Sequence, residues 1–229
     1  MIGLTMTTTP SDPRPIFFKT AALCLGLAAV FALTAQADDA QRYKAQPRGS
    51  KVTVAGTSTI HDWTLDGEII GGYLEVPAGV VFDVSKAELT GATGGRLEAK
   101  AEVSIPVTSL KAPYEGMDNA AYDALNAKEH ARIQFHLAEM TLKAPHAAGT
   151  PFAFETKGEL IVNGVTNAIT MPVTIETADK GKLKIVGKVP LKMTDFKVAP
   201  PVKLGVFRTG DEITISFEWV VAPPKTAQP

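Results

Sequence analysis

The chain has 229 residues, of which 45% are hydrophobic, and its 23 Lys and Arg residues nearly balance its 24 Asp and Glu residues. This hydrophobic fraction excludes a disordered chain, and the length predicts a single domain with a substantial core. Because the charges balance and no basic run interrupts the sequence, nothing favours a nucleic acid partner.

The first 37 residues have the features of a secretory signal peptide. Two basic residues precede the uncharged, largely apolar stretch Thr20–Ala37, which ends in the small-x-small sequence Ala-Gln-Ala. We predict cleavage before Asp38, export to the periplasm or beyond, and a domain over residues 38–222. The alternative is a retained transmembrane anchor, because about 18 apolar residues can just span a bilayer. Cleavage of 37 of the 229 residues would remove Cys24, the one cysteine, and leave a chain without a disulfide or a thiol nucleophile.

Alternation of apolar and polar residues dominates the rest of the chain and predicts β-strands with one buried face. Between Leu97 and Val107, every second residue is apolar. Strands are also predicted near residues 51–56, 61–72 and 79–89. The same alternation defines the apolar face of the later strands: Ile133, Phe135 and Leu137; Phe152, Phe154, Leu160 and Val162; Ile169, Met171, Val173 and Ile175; Leu183, Ile185, Val189, Leu191 and Met193; Ile213, Ile215, Phe217, Trp219 and Val221.

Turn and helix signals separate these strands. The dipeptide Asn163-Gly164 is typical of a two-residue type I′ hairpin, and turns are also predicted at Asp179–Gly181 and Thr209–Asp211. Alanines at helical spacing predict one short helix over residues 118–127, with its first residue, an aspartate, as the N-cap.

About eight or nine antiparallel strands with short turns and one inserted helix predict an all-β fold, either a closed barrel or a sandwich. A closed barrel leaves no exposed sheet edge, which favours it for a long-lived exported protein. A barrel of about eight strands is either filled by side chains or wide enough to hold one small ligand. Beyond the domain, the Pro-rich tail 223–229 is predicted to fray.

The stretch His61-Asp62-Trp63 is the part of the sequence that most suggests catalysis, but its spacing argues against it. Consecutive side chains on a strand point to opposite faces, so His61 and Asp62 are poorly placed to form a relay. We predict that both bond to turn backbone where a strand begins and that Trp63 packs. The alternatives are a polar contact of His61 at a cavity mouth and a hydrolase or isomerase that uses His61. No nucleotide-binding, hydrolase or metal-ligand motif occurs, so we predict no catalytic residue, no metal and no cofactor.

Several segments, taken in order, resemble the YceI family of exported polyisoprenoid- and lipid-binding proteins. They are Gly56–Gly72, Val103–Met140, Gly158–Glu176, Pro190–Val198 and Gly210–Trp219. The second is similar to the family's strand, crossover, short helix and following strand, and the others are similar to its hairpins and last strands. The resemblance covers most of residues 43–221. It implies a lipocalin-like antiparallel β-barrel of about eight strands that binds a long apolar chain in its interior.

The resemblance makes the apolar residues of the strands and the helix candidate ligand contacts. The predicted ligand-binding residues are Trp63, Leu65, Met117, Tyr122, Leu125, Phe135, Leu137, Phe154, Phe217 and Trp219. The three on the helix, Met117, Tyr122 and Leu125, are expected to cover one mouth of the barrel.

The resemblance thus implies a non-catalytic protein whose partner is a polyisoprenoid or another long apolar lipid. The balanced charges predict no nucleic acid partner, the predicted signal cleavage leaves no stable membrane insertion, and a homodimer stays open. The alternative is a structural or protein-interaction barrel without a bound lipid, whose core is filled by side chains.

Overall fold

The computed structural model describes residues 40–86, 89–114, 116–143, 147–203 and 207–224. The predicted signal peptide and most of the predicted tail lie outside these residues. The strands are β1 (Gln41–Ala45), β2 (Lys51–Ser58), β3 (Trp63–Gly67), β4 (Gly71–Val76), β5 (Lys100–Pro106), β6 (Arg132–Leu142), β7 (Phe152–Val162), β8 (Val165–Ala178), β9 (Lys182–Lys192), β10 (Val202–Lys203) and β11 (Phe207–Ala222). Helix α1 (Met117–Ala124) lies between β5 and β6, and short 3-10 turns occupy Val107–Ser109, Asp179–Gly181 and Thr194–Phe196.

Strand pairing closes the sheet into a barrel. Strands β4 to β9 pair in chain order, β9 pairs with β11, and β11 pairs with β1, which returns to β4. Strand β2 continues the line of β1 along β11, and β3 continues the line of β4, so these four form two long interrupted strands. The predicted all-β fold, an antiparallel barrel of about eight strands with one short helix, is therefore confirmed.

One face of each strand supplies the core. In β7, the side chains of Phe152, Phe154, Leu160 and Val162 are buried, which is the face that the alternation predicts. Phe82, from the loop after β4, packs edge-on against two of them, with ring centroids 6.2 Å from Phe152 and 6.5 Å from Phe154. Tilted aromatic pairs at this spacing are favourable, so this part of the interior is a filled aromatic core.

Two of the predicted turns are confirmed. Asn163 and Gly164 join β7 to β8, and their φ angles of 51° and 71° are both positive, as a type I′ turn requires. Residues Asp179–Gly181 join β8 to β9. Both turns set the register of long strands, and this register decides which side chains face the interior.

The third predicted turn, Thr209–Asp211, is wrong. These residues lie inside β11, where the pairing with β2 shifts register between Thr209 and Ile213. A bulge accommodates the extra residues without ending the strand, so the glycine signal marks an irregularity and not a turn.

Two strand predictions are also wrong. The described residues of segment 79–89 form a loop, closed by a bridge between Val81 and Thr90, although several of its apolar side chains are buried. The predicted strand 61–72 is two strands, β3 and β4, and β1 was not predicted at all. The loop buries apolar side chains, as a strand with one buried face does. Its sequence therefore has the apolar composition of a strand although its backbone is not one.

Helix α1 differs from its prediction at both ends. Its N-cap is Gly116, with a φ of 83°, and not Asp118, which lies in the first turn. Leu125 is the C-cap, and Asn126 takes a φ of 50° directly after it. Gly116 and Asn126 both adopt the left-handed conformation, which glycine and asparagine tolerate best. They therefore limit the helix to eight residues.

The segment that precedes α1 is tied to the barrel. Lys111 and Asp66 of β3 exchange two backbone hydrogen bonds of 2.8 Å. The Asp118 carboxylate accepts a hydrogen bond of 2.7 Å from the Ala112 backbone N–H and lies 3.3 Å from the Lys111 ammonium group. The hydrogen bond and then the neighbouring charge lower the pKa of Asp118. Asp118 therefore anchors the helix to its preceding loop instead of capping it.

Candidate functional site

A cavity of about 400 Å³ lies at the end of the barrel that α1 covers. Its walls come from β2, β3, β6, β7, β9 and β11, with α1 on one side. The wall residues are mainly aliphatic and include Val54, Leu65, Ile133, Val162, Leu191 and Ile213. An apolar space of this size is within the usual range of small-molecule sites.

The cavity opens to solvent on one side. Ile60, His61 and Arg208 line it and are exposed, and the side chain of Ile60 retains 61% of its accessible surface. Two further polar residues of the lining, Ser58 and Thr209, pair directly across β2 and β11 beside this opening. The mouth therefore offers hydroxyl, imidazole and guanidinium groups, whereas the interior offers almost only carbon atoms.

His61 lies in a turn that leads into β3. The Ser58 hydroxyl donates to the His61 carbonyl at 2.7 Å, and the His61 Nδ1 lies 2.7 Å from the backbone carbonyl oxygen of Asp62. Because a carbonyl only accepts, Nδ1 carries the proton in this contact, and Nε2 of the neutral ring is an acceptor. This contact with turn backbone agrees with the prediction for His61, whereas no hydrogen bond of the Asp62 carboxylate to turn backbone or to the His61 ring occurs in the described structure.

Trp63 lies close against the wall of this cavity, which is the larger of two that the described residues form in the barrel, because a glycine stands beneath it. A Cβ atom on Gly56, its direct partner on β2, would lie 2.6 Å from Trp63 Cε2. The indole Nε1 donates a hydrogen bond of 3.0 Å to the carbonyl of Thr57. The ring is thereby held on the wall, and the space in front of it stays open.

A smaller cavity of about 70 Å³ continues the interior on the other side of Ile133 and Ile215, which line both cavities. Phe135, Phe217 and Trp219 are among its lining residues. The Nε1 atom of Trp219 is buried and has no hydrogen-bond partner among the residues that the structure describes. The interior is therefore apolar beyond Ile133 and Ile215 as well.

The two phenylalanines of the smaller cavity also stand over glycines. A Cβ atom on Gly158 would lie 2.5 Å from Phe135 Cζ, and one on Gly187 would lie 2.5 Å from Phe217 Cζ. Real Cβ atoms do not approach this closely, so a larger residue at either position would displace the ring. Aromatic rings packed over glycines stabilise the sheet and keep these rings near the wall.

Helix α1 contributes both lining and support. Met117, Ala121 and Leu125 line the larger cavity. Tyr122 does not, because its hydroxyl lies 2.7 Å from the Leu110 carbonyl and accepts a hydrogen bond of 2.8 Å from Lys111 Nζ. These bonds hold the helix against the end of the barrel. The hydrogen bond to Tyr122 and then that to Asp118 raise the pKa of Lys111.

Seven of the ten predicted ligand-binding residues line a cavity. Trp63, Leu65, Met117 and Leu125 line the larger one, and Phe135, Phe217 and Trp219 line the smaller one. Tyr122, Leu137 and Phe154 line neither. Tyr122 supports α1, Leu137 packs against the core at partial exposure, and Phe154 is fully buried in the aromatic core. A role in ligand binding stays a prediction for all ten.

The prediction missed the aliphatic part of the lining. Ile213 and Ile215 share the inward face of β11 with Phe217, and Ile133 shares that of β6 with Phe135. The alternation alone would have found them, since every second residue of these strands faces inward.

Among the described residues that line the larger cavity, His61 and Arg208 are the ones with ionisable side chains. No cluster of three or more His, Cys, Asp or Glu side chains occurs among the described residues. Hydrogen bonds from Thr194 lower the pKa of Asp211, and Glu218 raises that of Lys184.

No helix within the described ranges is long and apolar enough to span a bilayer.

Together the fold and the site define a closed antiparallel barrel with an apolar, solvent-open interior. The sequence model of the YceI-like domain matches residues 43–221, so the chain belongs to the YceI-like family, as the resemblance predicted. Two solved structures share the fold. BcnA from Burkholderia cenocepacia is 21% identical, with a TM-score of 0.54 over 76% of this chain and 96% of its own. A polyisoprenoid binding domain from Saccharophagus degradans, implicated in plant cell wall breakdown, is 12% identical, with a TM-score of 0.54 over 80% of this chain and 98% of its own. Among curated proteins, no sequence matches significantly.

Proposed function

We propose that this protein is an exported, non-catalytic binding protein that sequesters or carries a polyisoprenoid or a similar lipid inside its barrel. The observation that carries the proposal is the apolar cavity of about 400 Å³, open to solvent at a polar mouth. The ligand class is also that of the Saccharophagus degradans domain, which is a polyisoprenoid binding domain.

Burial of an apolar chain supplies the binding free energy, at about 25 cal/mol for each Å² removed from water. The mouth residues His61 and Arg208 support the proposal, because their side chains can meet the polar head of such a lipid. Nε2 of a neutral His61 can accept a hydrogen bond from a hydroxyl group, and Arg208 can donate to an oxygen. This division, with an apolar interior and few polar groups at one end, is usual for sites that bind amphipathic ligands.

The arrangement around His61 supports a non-catalytic role. The His61 ring bonds to the backbone carbonyl of Asp62 and is exposed at the mouth. Among the described residues, no side-chain hydroxyl or carboxylate bonds to the ring, so no pair of nucleophile and base is formed there. The cavity also argues against the alternative of a barrel whose core is filled by side chains.

Titration with farnesol tests lipid binding directly. The chain has two tryptophans, and Trp63 lines the larger cavity, so the Trp219→Phe variant leaves one reporter at the site. We expect a saturable shift of the Trp63 emission to shorter wavelength, with one farnesol bound per barrel, because the lipid displaces water from the indole. No shift of the emission, or a shift that does not saturate as the farnesol concentration rises, would contradict the proposal.

The export part of the proposal is tested by N-terminal sequencing. In protein recovered from outside the cytoplasm, we expect the chain to begin at Asp38, since Ala-Gln-Ala precedes it and two acidic residues follow the cleavage site. A chain that retains the apolar stretch Thr20–Ala37 and sediments with membranes would instead indicate an uncleaved anchor.

A further inference from the structure

The two cavities of the barrel meet at Ile133 and Ile215, the two residues that belong to both linings. We call these two side chains the partition. On one side of it lies the larger cavity with its open mouth, and on the other lies the smaller cavity beside Trp219.

The partition is formed from opposite sides of the barrel. Ile133 belongs to β6 and Ile215 to β11, and in the closed order β1, β4, β5, β6, β7, β8, β9, β11 these strands are four positions apart in either direction. Ile133 is 8% exposed. The side chains of Ile133 and Ile215 project into the lumen from opposite walls. A lipid chain that enters at the mouth therefore meets both side chains before it reaches the smaller cavity.

The capacity on each side can be compared with a known scale. An apolar cavity of about 150 Å³ holds one benzene ring, that is, six carbon atoms. On this scale, the larger cavity of about 400 Å³ holds about 16 carbon atoms. The smaller cavity of about 70 Å³ holds about three. The larger cavity therefore fits a prenyl chain of three isoprene units but not a much longer one.

We propose that Ile133 and Ile215 limit the apolar chain that the barrel encloses to about three isoprene units. The inference rests on the proposed function, and it narrows the ligand to lipids whose buried chain is of farnesyl length. The remainder of any longer chain stays outside the mouth and adds no further burial. Affinity then rises with chain length until the chain reaches the partition, and is level beyond it.

A series of prenyl alcohols tests this limit. Geraniol, farnesol and geranylgeraniol have two, three and four isoprene units. We expect the full chain to bind farnesol at least about tenfold more tightly than geraniol, and geranylgeraniol within about threefold of farnesol. In Ile215→Ala, the smaller cavity and the space of the lost side chain together accept about one more unit, so geranylgeraniol should bind about tenfold more tightly than farnesol.

Ile169→Ala is the matched control. Ile169 lies on β8 and lines the smaller cavity only, so this variant removes the same atoms without opening the partition. Its chain-length profile should equal that of the parent. Ile133→Ala opens the partition from the opposite wall and serves as a second test should Ile215→Ala not fold.

A second readout follows the chain itself. In the Trp63→Phe background, Trp219 alone reports on the smaller cavity. Geranylgeraniol should shift the Trp219 emission when Ile215 is alanine and leave it unchanged when Ile215 is present.

Three results would overturn the inference. Affinity that continues to rise from farnesol to geranylgeraniol in the parent would show that no limit exists at this length. If affinity depends on chain length in Ile215→Ala and Ile133→Ala as it does in Ile169→Ala, the partition does not set the limit. Failure of every alcohol to bind the parent would refute the proposed function itself, and the inference with it.

Discussion

Replacing Ala121 with tryptophan should strongly weaken lipid binding. Ala121 lies on α1, is half-buried and lines the larger cavity, so an indole ring at this position occupies the space that the ligand needs. We expect the affinity for farnesol to fall by at least about tenfold, since the ligand loses most of its apolar contact. Isothermal titration calorimetry measures the change without depending on the added tryptophan.

Asn119→Trp is the control for this variant. Asn119 lies on the same helix but is exposed and does not line the larger cavity. It places the same side chain on the outer face of α1, and the affinity for farnesol should remain within about threefold of the parent. If Ala121→Trp binds as tightly as Asn119→Trp, the lipid does not occupy the larger cavity.

Replacing Phe154 with alanine should have the largest effect on stability. Its side chain is fully buried and packs edge-on against Phe82. Truncation leaves a cavity that the surrounding barrel cannot close, and we expect the free energy of unfolding to fall by about 3–5 kcal/mol. Urea unfolding of the ligand-free protein, followed by circular dichroism, measures this loss.

Phe217→Ala provides the comparison. Phe217 also faces inward, but it lines the smaller cavity and is only partly buried. Part of its surface already contacts empty space, so we expect a loss clearly smaller than that of Phe154→Ala, below about 3 kcal/mol. Equal losses in the two variants would contradict the open interior and favour a barrel filled by side chains.

The sequence predicts the strands well where a strict alternation coincides with a strong turn signal. Strands β7 and β8 and the Asn163-Gly164 hairpin between them follow directly from period and turn chemistry. The segment 79–89 has the composition of a strand but lacks a partner, since β4 already pairs with β1 and β5. Pairing is a property of the whole barrel, and local composition cannot supply it.

The site is predicted less completely, because alternation identifies the inward face but not whether that face meets space or another side chain. Phe154 and Phe135 both lie on inward faces, yet one packs in the aromatic core and the other lines a cavity. The difference depends on cross-strand neighbours: Phe82 packs against Phe154, whereas Gly158 lies beneath Phe135. These neighbours are distant in sequence and become visible only through the register.

The central claim is that the apolar cavity holds a lipid, and the most direct measurement is extraction of the protein from its own compartment. The full chain is expressed, the product is purified without detergent, and an organic extract is analysed by mass spectrometry, with Ala121→Trp treated in parallel. The account predicts a recurring lipid with a prenyl or similar apolar chain, close to one per barrel, which is strongly depleted in Ala121→Trp. A parent protein that carries no lipid, or the same lipid content in both proteins, would contradict it.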